Sequence, residues 1–253
     1  MSKTVLITGA ASGIGLHIAE QLALAGHYIM LTDLNQQQAK NAAAAIVAKG
    51  GNAQGYALNV ADSEAIANFF SQLTQPVDVL INNAGIQHVA KLEEFPADKW
   101  QFLQQVMLVG PAMMTQAVLP NMRKQNFGRI INIGSIHAMV ASKYKSAYVA
   151  AKHGLIGFSK TIALETGDAN ITINTVCPAY VKTPLVEQQI AAQAKEHGLT
   201  EQQVIDTIML APMPKKAFIG VDEILHTVTF LMADAACNIT AQAIAIDGGW
   251  TAQ

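Results

Sequence analysis

The sequence predicts an α/β protein: a single doubly wound domain in which helices cover both faces of a parallel sheet. Short, nearly all-apolar runs alternate with helical segments along the whole chain, which is typical of strands buried on both faces. The chain has 253 residues, of which 51% are hydrophobic and 13% are charged. This composition can form one large core and carries too little charge for disorder.

Each strand is predicted from a short apolar run bounded by turn residues. The predicted strands are TVLITG (4–9), YIMLTD (28–33), AQGYALNV (53–60), VDVLINNAG (77–85), GRIINIGS (128–135), ITINTVCP (171–178) and QAIAIDGG (242–249). Helices are predicted between the strands. The first two end near residues 25 and 49, the third follows residue 60, and the fourth runs from about Asp98 to Gln125. The fifth contains Tyr148, and the sixth lies near 221–234.

One segment, 185–217, interrupts this alternation. It is polar and helical, and it lies between Pro184 and the pair Pro212 and Pro214. An insertion of this length beside a binding crevice is typical of a lid, so we expect it to cover the substrate.

The charge balance and the chain start exclude several classes of protein. The net charge is −2, from 16 basic and 18 acidic residues, so no basic field indicates nucleic-acid binding. The start, MSKTVLITG, reaches a glycine turn too early for a signal peptide, and no apolar run is expected to reach the length of a membrane span. Cys177 and Cys237 match no metal spacing and are expected to be buried free thiols. We therefore expect a cytoplasmic protein with no metal and no membrane contact.

The stretch TGAASGIG, from Thr8 to Gly15, predicts a dinucleotide-binding turn because it follows a strand and opens a helix. Gly9 permits the tight turn, Gly13 lets the backbone approach a pyrophosphate, and Gly15 allows close helix packing. The helix start then offers unpaired N–H groups to the anion.

Asp33 predicts NAD rather than NADP. It ends the second strand, where a carboxylate can accept hydrogen bonds from ribose hydroxyls and would repel a 2′-phosphate. Nearby positions offer no arginine or lysine to bind such a phosphate: they are Ala10, Ala11, Ser12 and Leu34.

The stretch KYKSAYVAAKHG (143–154) predicts an acid–base site. On a helix, Lys145, Tyr148 and Lys152 fall within about a 60° arc, and the opposite face carries only small residues: Ala147, Ala150, Ala151, Gly154 and Gly157. A free tyrosine has a pKa of about 10 and is a poor base. Lys152, one turn away, is expected to lower the pKa of Tyr148. Ser135 would hold the substrate oxygen near Tyr148.

Together with TGAASGIG, the motifs NNAG (82–85), Ser135, YVAAK (148–152) and CPAYVKTP (177–184) resemble those of the short-chain dehydrogenase/reductase family over essentially the whole chain. The resemblance implies a Rossmann-type fold, redox chemistry on alcohols and ketones with a nicotinamide cofactor, and a homotetramer. It also implies that Ser135, Tyr148 and Lys152 are catalytic. The residues expected at the cofactor are Gly9, Ser12, Gly13, Ile14, Gly15, Asp33, Asn59, Val60, Asn83, Tyr148, Lys152, Pro178, Val181 and Thr183.

Within the family, four segments are similar to members that oxidise D-3-hydroxybutyrate to acetoacetate with NAD: GIQHVAKLEEFP (85–96), SIHAMVASKYKSAYVAAKHG (135–154), TPLVEQQI (183–190) and the terminal DGGWTAQ. That similarity implies a small anionic substrate whose carboxylate is held by Gln87, His137, Lys145 and Gln189, with Ser135, Tyr148 and Tyr180 completing the substrate site. A small anion in a mostly apolar pocket needs a charged partner, which explains a lysine beside the tyrosine.

Three features depart from the family pattern. Met107 stands where the family has an asparagine that supports a water relay to the active-site lysine, so the proton path to solvent differs. Tyr180 and Ala179 replace a tryptophan and a glycine. Asn59 replaces an aspartate near the adenine, which an amide can tolerate through its own hydrogen bonds.

Three alternatives stay open. One is a reductase of 3-oxoacyl thioesters, which would use NADPH and an open channel; Asp33 and the anion-binding residues argue against it. Another is a dehydrogenase of a different small hydroxy acid or polyol. The third is a catalytically weak NAD-binding protein, against which the intact Ser135, Tyr148 and Lys152 argue.

Overall fold

A computed structural model describes residues 2–252, apart from the side chains at 185, 196 and 197. Its centre is a sheet of seven parallel strands in the order β3-β2-β1-β4-β5-β6-β7. The strands are β1 (Thr4–Thr8), β2 (Tyr28–Asp33), β3 (Asn52–Ala57), β4 (Val79–Asn82), β5 (Gly128–Ile133), β6 (Ile171–Pro178) and β7 (Ala243–Ile246). The predicted fold class, a single doubly wound α/β domain, is confirmed, and the strands match the predicted runs with shorter ends.

The strand order reverses between β1 and β4, and the carboxyl ends of the central strands share one edge. Val5 pairs with Val79 and Ile7 with Ile81 across this reversal, while Asn82 pairs with Asn132 on the next strand. In open α/β sheets, ligands bind in the crevice at this position.

Helices pack on both faces of the sheet. The α-helices are α1 (Gly13–Leu24), α2 (Gln36–Ala48), α3 (Ser63–Ser71), α4 (Ala97–Gln104), α5 (Gly110–Gln125), α6 (Ser146–Glu165), α7 (Pro184–His197), α8 (Glu201–Val204) and α9 (Val221–Met232). Alternate residues of β1 enter opposite cores, as strand geometry requires. Val5 and Ile7 pack with α1, α2 and α9, whereas Leu6 packs with α3, α5 and α6.

The predicted long helix is one helical run that contains a wide turn. Helices α4 and α5 are joined by a π-helical segment, Gln105–Val109, which includes Met107. The run Ala97–Gln125 is long and apolar enough to cross a membrane by length and composition alone, so the expectation that no apolar run would reach that length was wrong. Since 44% of its most apolar window is buried within the protein and α5 packs against the sheet, the run behaves as a core helix.

The insertion at 185–217 is helical, as predicted. It comprises α7, α8 and a π-helical segment, Ile205–Met209, and it forms a small core of its own from Ile190, Val204 and Met209, against which Tyr180 packs. Its action as a lid stays a prediction.

The two cysteines differ from expectation. Both are free thiols, but only Cys177 is buried, while Cys237 is exposed. The prediction of burial was wrong for Cys237, because the helical turn Asp234–Ala236 that precedes it lies at the surface.

Candidate active site

The glycine turn between β1 and α1 leaves no room for a side chain at Gly9 or Gly15. Gly9 and Gly13 have φ angles of +59° and +58°, a conformation that glycine adopts without steric cost. A Cβ on Gly9 would lie 2.8 Å from the Cα of Ala84, and one on Gly15 would lie 2.4 Å from Nδ2 of Asn83. The backbone is therefore open to a ligand on one side and closely packed on the other.

Asn83 holds this turn in place. Its side-chain amide donates hydrogen bonds to the carbonyl oxygens of Thr8 and Gly9, both at 2.9 Å. The Thr8 hydroxyl accepts from the backbone N–H of Asn83 at 3.0 Å. The family motif NNAG thus ties the end of β4 to the start of the cofactor turn.

Asp33 lies across the same turn. Its carboxylate accepts from the backbone N–H of Ala11 at 3.2 Å and from that of Asn35 at 3.1 Å. Leu34, the next residue, is 70% exposed and uncharged. Asn59 is exposed, and its side-chain oxygen accepts from the N–H of Ala61 at 3.1 Å, so its amide group keeps free donors.

A cleft of about 420 Å³ runs from the glycine turn to Tyr148. Every residue expected at the cofactor lines it except Gly15, which packs behind the turn. The cleft also has apolar walls that sequence analysis missed, among them Ile86, Phe102 and Val186, because isolated apolar residues carry no local signal. The open backbone at Gly13 and the carboxylate of Asp33 fit a dinucleotide.

Ser135, Tyr148 and Lys152 meet at the inner end of this cleft. Ser135 follows β5, and the other two lie one turn apart on α6. The ammonium of Lys152 donates to the carbonyl oxygen of Ile133 at 2.8 Å and lies 5.7 Å from the centre of the Tyr148 ring. The sequence therefore predicted correctly that these three side chains come together.

The electrostatics of the three differ from expectation. Burial raises the pKa of Tyr148, and the hydrogen bond with Ser135 lowers it by less. Burial also lowers the pKa of Lys152 to about 8. The expected lowering of the tyrosine pKa by Lys152 is therefore wrong, because desolvation of the phenol is the dominant cause and outweighs the hydrogen bond with Ser135.

A smaller pocket of about 80 Å³ opens beside this centre. All residues expected at the substrate line it: Gln87, Ser135, His137, Lys145, Tyr148, Tyr180 and Gln189. Ser135 and Tyr148 line both the pocket and the cofactor cleft. A reacting carbon placed between them would contact both compartments.

Lys145 is 6% exposed, and its ammonium has no carboxylate or hydrogen-bond partner among the described side chains, which exclude those at 185, 196 and 197. Burial lowers its pKa. It precedes the first turn of α6 rather than lying within the helix as predicted. Its ammonium reaches the pocket and lies 5.4 Å from the centre of the Tyr180 ring.

His137 is buried, and both ring nitrogens contact serine hydroxyls. Nδ1 lies 3.4 Å from Oγ of Ser135, and Nε2 lies 2.5 Å from Oγ of Ser142. Burial, followed by the charges of Lys145 and His153, lowers the pKa of His137 to about 4. The imidazole is therefore neutral at physiological pH, and its expected contact with a substrate carboxylate stays a prediction.

Two residues of the site were missed. Trp250 stacks on Tyr180 with ring centres 6.1 Å apart and meets the edge of His137 at 5.9 Å. It lies in the DGGWTAQ segment that carries the family similarity, which was the available signal. Cys177 lies near Lys152 and Tyr148, and burial raises its pKa to about 11, so it is a neutral thiol.

Met107 is buried against the same helix. It packs in a cluster with Leu103, Val106, Ala147 and Ala151, and its sulfur lies 3.9 Å from the point where a Cβ on Gly85 would be. A thioether is a weak acceptor and no donor. Its side chain therefore cannot conduct protons between Lys152 and solvent.

Comparisons with known proteins agree with this geometry. The family described as short chain dehydrogenase matches residues 3–194. D-beta-hydroxybutyrate dehydrogenases from Rhizobium meliloti and Cupriavidus necator are 42% and 38% identical, the first over the full length of both chains and the second over 99% of this chain and 98% of the relative. The structure of an actinorhodin polyketide ketoreductase variant with NADPH has a TM-score of 0.93 and 30% identity, covering 98% of this chain and 97% of that one. The family match, the full-length relatives and the shared fold together show where the chain belongs. It is a member of the short-chain dehydrogenase/reductase family of oxidoreductases, which act with a nicotinamide cofactor.

Proposed function

We propose that this protein is an NAD-dependent dehydrogenase that interconverts D-3-hydroxybutyrate and acetoacetate. The observation that carries the proposal is the ammonium of Lys145, which lies in the small pocket beside Tyr148 and has no partner among the described side chains. A buried cation without a counter-charge is costly unless a ligand supplies one. The hydroxybutyrate dehydrogenases that match the full chain support an acid of this size.

The chain's own residues account for the remaining chemistry. A bound nicotinamide supplies the hydride acceptor. Ser135 holds the substrate oxygen, and Tyr148 takes the hydroxyl proton as the carbinol becomes a ketone. Lys145, with the free amide donors of Gln87 and Gln189, holds the carboxylate. The side-chain oxygen of Gln87 already accepts from the N–H of His88 at 3.0 Å, which leaves its amide nitrogen as the group that can donate to a ligand.

Asp33 supports NAD as the cofactor. Its carboxylate lines the cleft beside the glycine turn, and the neighbouring residues Leu34 and Asn59 carry no positive charge. We expect catalytic efficiency with NAD to exceed that with NADP, and Asp33→Asn to narrow the gap. Equal efficiency of the wild type with both cofactors would contradict this part of the proposal.

A second candidate is a reductase of 3-oxoacyl thioesters, favoured by the likeness to a ketoreductase solved with NADPH. The size of the substrate pocket argues against this candidate. A pocket of about 80 Å³ that is bounded by Lys145, Tyr180 and Gln189 leaves little room for a carrier arm. Reduction of a 3-oxoacyl thioester with NADPH, measured beside acetoacetate with NADH, separates the two.

We also propose a homotetramer. Within the chain, Ala147 and Ala151 are fully buried, and a Cβ on Gly154 would meet Leu108 at 3.0 Å. The outer part of the same small-residue face is free: Ala150 is exposed, and nothing lies within 4 Å of a Cβ on Gly157. Such a surface suits close packing against another helix, and light scattering of the purified protein gives its mass in solution.

The experiment that tests the substrate removes Lys145. Lys145→Ala should lower kcat/KM for D-3-hydroxybutyrate by the equivalent of about 2–5 kcal/mol, because the substrate charge is left unpaired. Affinity for NAD should change little.

A neutral ester of 3-hydroxybutyrate and the variant Lys143→Ala are the controls. The wild type should use the ester poorly, and Lys145→Ala should lose little more on it. Lys143 is exposed in the same segment, so its removal changes the net charge equally without touching the pocket. Equal losses on acid and ester in Lys145→Ala would refute the assigned role.

A further inference from the structure

A chain of hydrogen-bonding groups leads from Tyr148 away from the cofactor cleft. The phenol interacts with the Ser135 side chain, Oγ of Ser135 lies 3.4 Å from Nδ1 of His137, and Nε2 of His137 lies 2.5 Å from Oγ of Ser142. Each link joins a group that can both give and accept a proton. Hydrogen bonds at catalytic groups are often long before the substrate binds and shorten in the complex.

The chain connects a buried point to the surface. Ser135 and His137 are 8% and 3% exposed, whereas Ser142 is partly exposed in the loop before α6. The backbone N–H of His137 donates to Oγ of Ser135 at 3.1 Å. This bond fixes the serine oxygen against the imidazole and leaves its hydroxyl hydrogen free to point towards Nδ1.

In the part of the chain that the structure describes, the opposite side of Tyr148 offers no comparable series of hydrogen-bonding side chains. Lys152 donates to the carbonyl oxygen of Ile133, and the buried Met107 packs against the helix that carries Tyr148 and Lys152. The continuous series of side-chain donors and acceptors that begins at Tyr148 therefore lies on the side of His137.

We propose that His137 and Ser142 conduct the proton between Tyr148 and solvent, by way of the Ser135 hydroxyl. The inference rests on the proposed dehydrogenase activity. It assigns His137 a role in proton transfer, through the two ring nitrogens that contact Ser135 and Ser142. Ser142, far from the reacting atoms, becomes a positioning and relay residue.

The proton balance is simple. In the oxidation direction the substrate hydroxyl gives its proton to the Tyr148 oxygen as its carbon loses a hydride to the cofactor. Because burial keeps the phenol protonated, Tyr148 passes its own proton to Ser135 in the same step, and Ser135 passes its own to Nδ1 of His137. Nε2 of His137 releases its proton to Ser142 and solvent. The imidazole changes tautomer and stays neutral overall, and rotation of the hydroxyls and a flip of the imidazole ring, which exchanges its two nitrogens, restore the starting state.

The surroundings of His137 favour such a neutral relay. The charged groups that face it, Lys145 and His153, disfavour an imidazolium, as does burial. Its other neighbours are the rings of Tyr148, Tyr180 and Trp250, which bring no carboxylate. Among the described residues no acid stabilises a positive His137, so the ring exchanges protons between its nitrogens without storing one.

The test cuts the chain at its outer end. Ser142→Ala leaves Ser135, His137 and Tyr148 in place, and should lower kcat by about tenfold, since proton transfer through a positioned group is lost. Added imidazole buffer should restore part of kcat, and the solvent deuterium isotope effect on kcat should rise. In single turnovers followed with a pH indicator, proton release should lag behind NADH formation.

Ser142→Thr and Ser146→Ala are the matched variants. Threonine keeps a hydroxyl and should restore kcat and the isotope effect. The Ser146 hydroxyl is buried in the neighbouring turn without a hydrogen-bond partner among the described residues, so its removal should leave all these quantities at wild-type values.

The outcomes are distinct. If Ser142→Ala matches the wild type in kcat, isotope effect and buffer dependence, the relay is refuted. If it raises only KM for the acid, Ser142 merely places His137 against the substrate, and the relay is refuted as well. If the wild type itself fails to turn over D-3-hydroxybutyrate, the proposed substrate is wrong. The same measurements can then be made with whichever alcohol it oxidises.

Discussion

The cofactor cleft and the substrate pocket share Ser135 and Tyr148 but are built in opposite ways. The cleft is shaped by the backbone at the ends of neighbouring strands, where the absence of side chains at Gly9 and Gly13 creates the space. The pocket is shaped by long polar and aromatic side chains from four separate segments, among them Gln87, Lys145 and Gln189. Ligand binding at a site formed by backbone can be altered by one added methyl group, whereas binding at a site formed by side chains depends on the charge and length of those side chains.

The two regions also differ in where charge is buried. The pocket end contains Lys145 and His137, both buried and both with lowered pKa values. The cleft presents glycine backbone and the partly exposed Asp33. The proposed specificity for an anionic substrate therefore resides in the desolvated ammonium of Lys145, and the proposed recognition of NAD resides in the shape of the glycine turn and a single carboxylate.

The largest effect is expected at the point where the two regions meet. Tyr148→Phe keeps the ring and removes the group that takes the proton, so kcat should fall by about 10²–10⁴-fold. Affinity for NAD, measured by titration of its binding, should stay close to that of the wild type. Turnover near the wild-type rate would show that another group carries the proton.

A smaller effect is expected from adding one methyl group to the cleft. Gly9→Ala forces a non-glycine residue into a φ of +59° and brings a Cβ to 2.8 Å from the Cα of Ala84. Such strain costs about 1–3 kcal/mol, and relieving it moves the turn that faces the cofactor. Affinity for NAD should therefore weaken by about tenfold or more, as measured by calorimetry.

Gly26→Ala is the control for that substitution. Gly26 also has a positive φ, +92°, but nothing lies within 4 Å of its Cβ position. It should lower the melting temperature without changing NAD affinity. If both variants weaken NAD binding equally, the effect comes from general destabilisation and not from the turn.

The cleft was the more predictable region because its chemistry is local in sequence. The roles of TGAASGIG and Asp33 can be predicted from residue type and spacing. Nearly all the residues expected at the cofactor line the cleft. In the pocket, the family resemblance identified Gln87 and Gln189, which carry no signal of their own. Residue types alone gave no indication of Trp250, because its contact with His137 arises only when the chain end folds back onto β6.

Other errors have physical causes that a pattern cannot display. The raised pKa of Tyr148 follows from its burial, which depends on the whole fold. The sequence has helical periodicity on both sides of the π-helical segment at Met107, so it predicts one continuous helix. The start of α6 lies after Lys145 because Tyr144 adopts a left-handed conformation, with φ of +67°, that aromatic residues rarely take.

A third prediction uses the pH dependence of the pocket. Lys145 must be charged to hold a carboxylate, and burial lowers its pKa in the free enzyme. The ratio of kcat/KM for D-3-hydroxybutyrate to that for its ester should be constant at pH values below that pKa. It should then fall by at most about tenfold per pH unit as the pH rises through the lowered pKa. Titration of Tyr148 and Lys152 affects both substrates and cancels in the ratio.

Lys145→Ala provides the comparison for this profile. Without the amine, the ratio should be low and independent of pH over the same range. A ratio that still falls at high pH in this variant would assign the titration to another group in the pocket.

The smallest effect is expected at Tyr144, which shapes the approach to Lys145 without entering the pocket. The side chain is 46% exposed, and its carbonyl oxygen accepts from the N–H of Ala90 at 3.0 Å, which joins the loop of Gln87 to the start of α6. Because its backbone is left-handed, Tyr144→Val should add strain of about 1–2 kcal/mol, whereas Tyr144→Gly and Tyr144→Asn tolerate that conformation. We expect valine to lower kcat/KM for the acid by about three- to tenfold, mainly through KM, with a smaller loss on the ester. Glycine and asparagine should remain near wild type. If all three variants are equally impaired, the exposed ring and not the backbone is what matters, and the turn does not determine the position of Lys145.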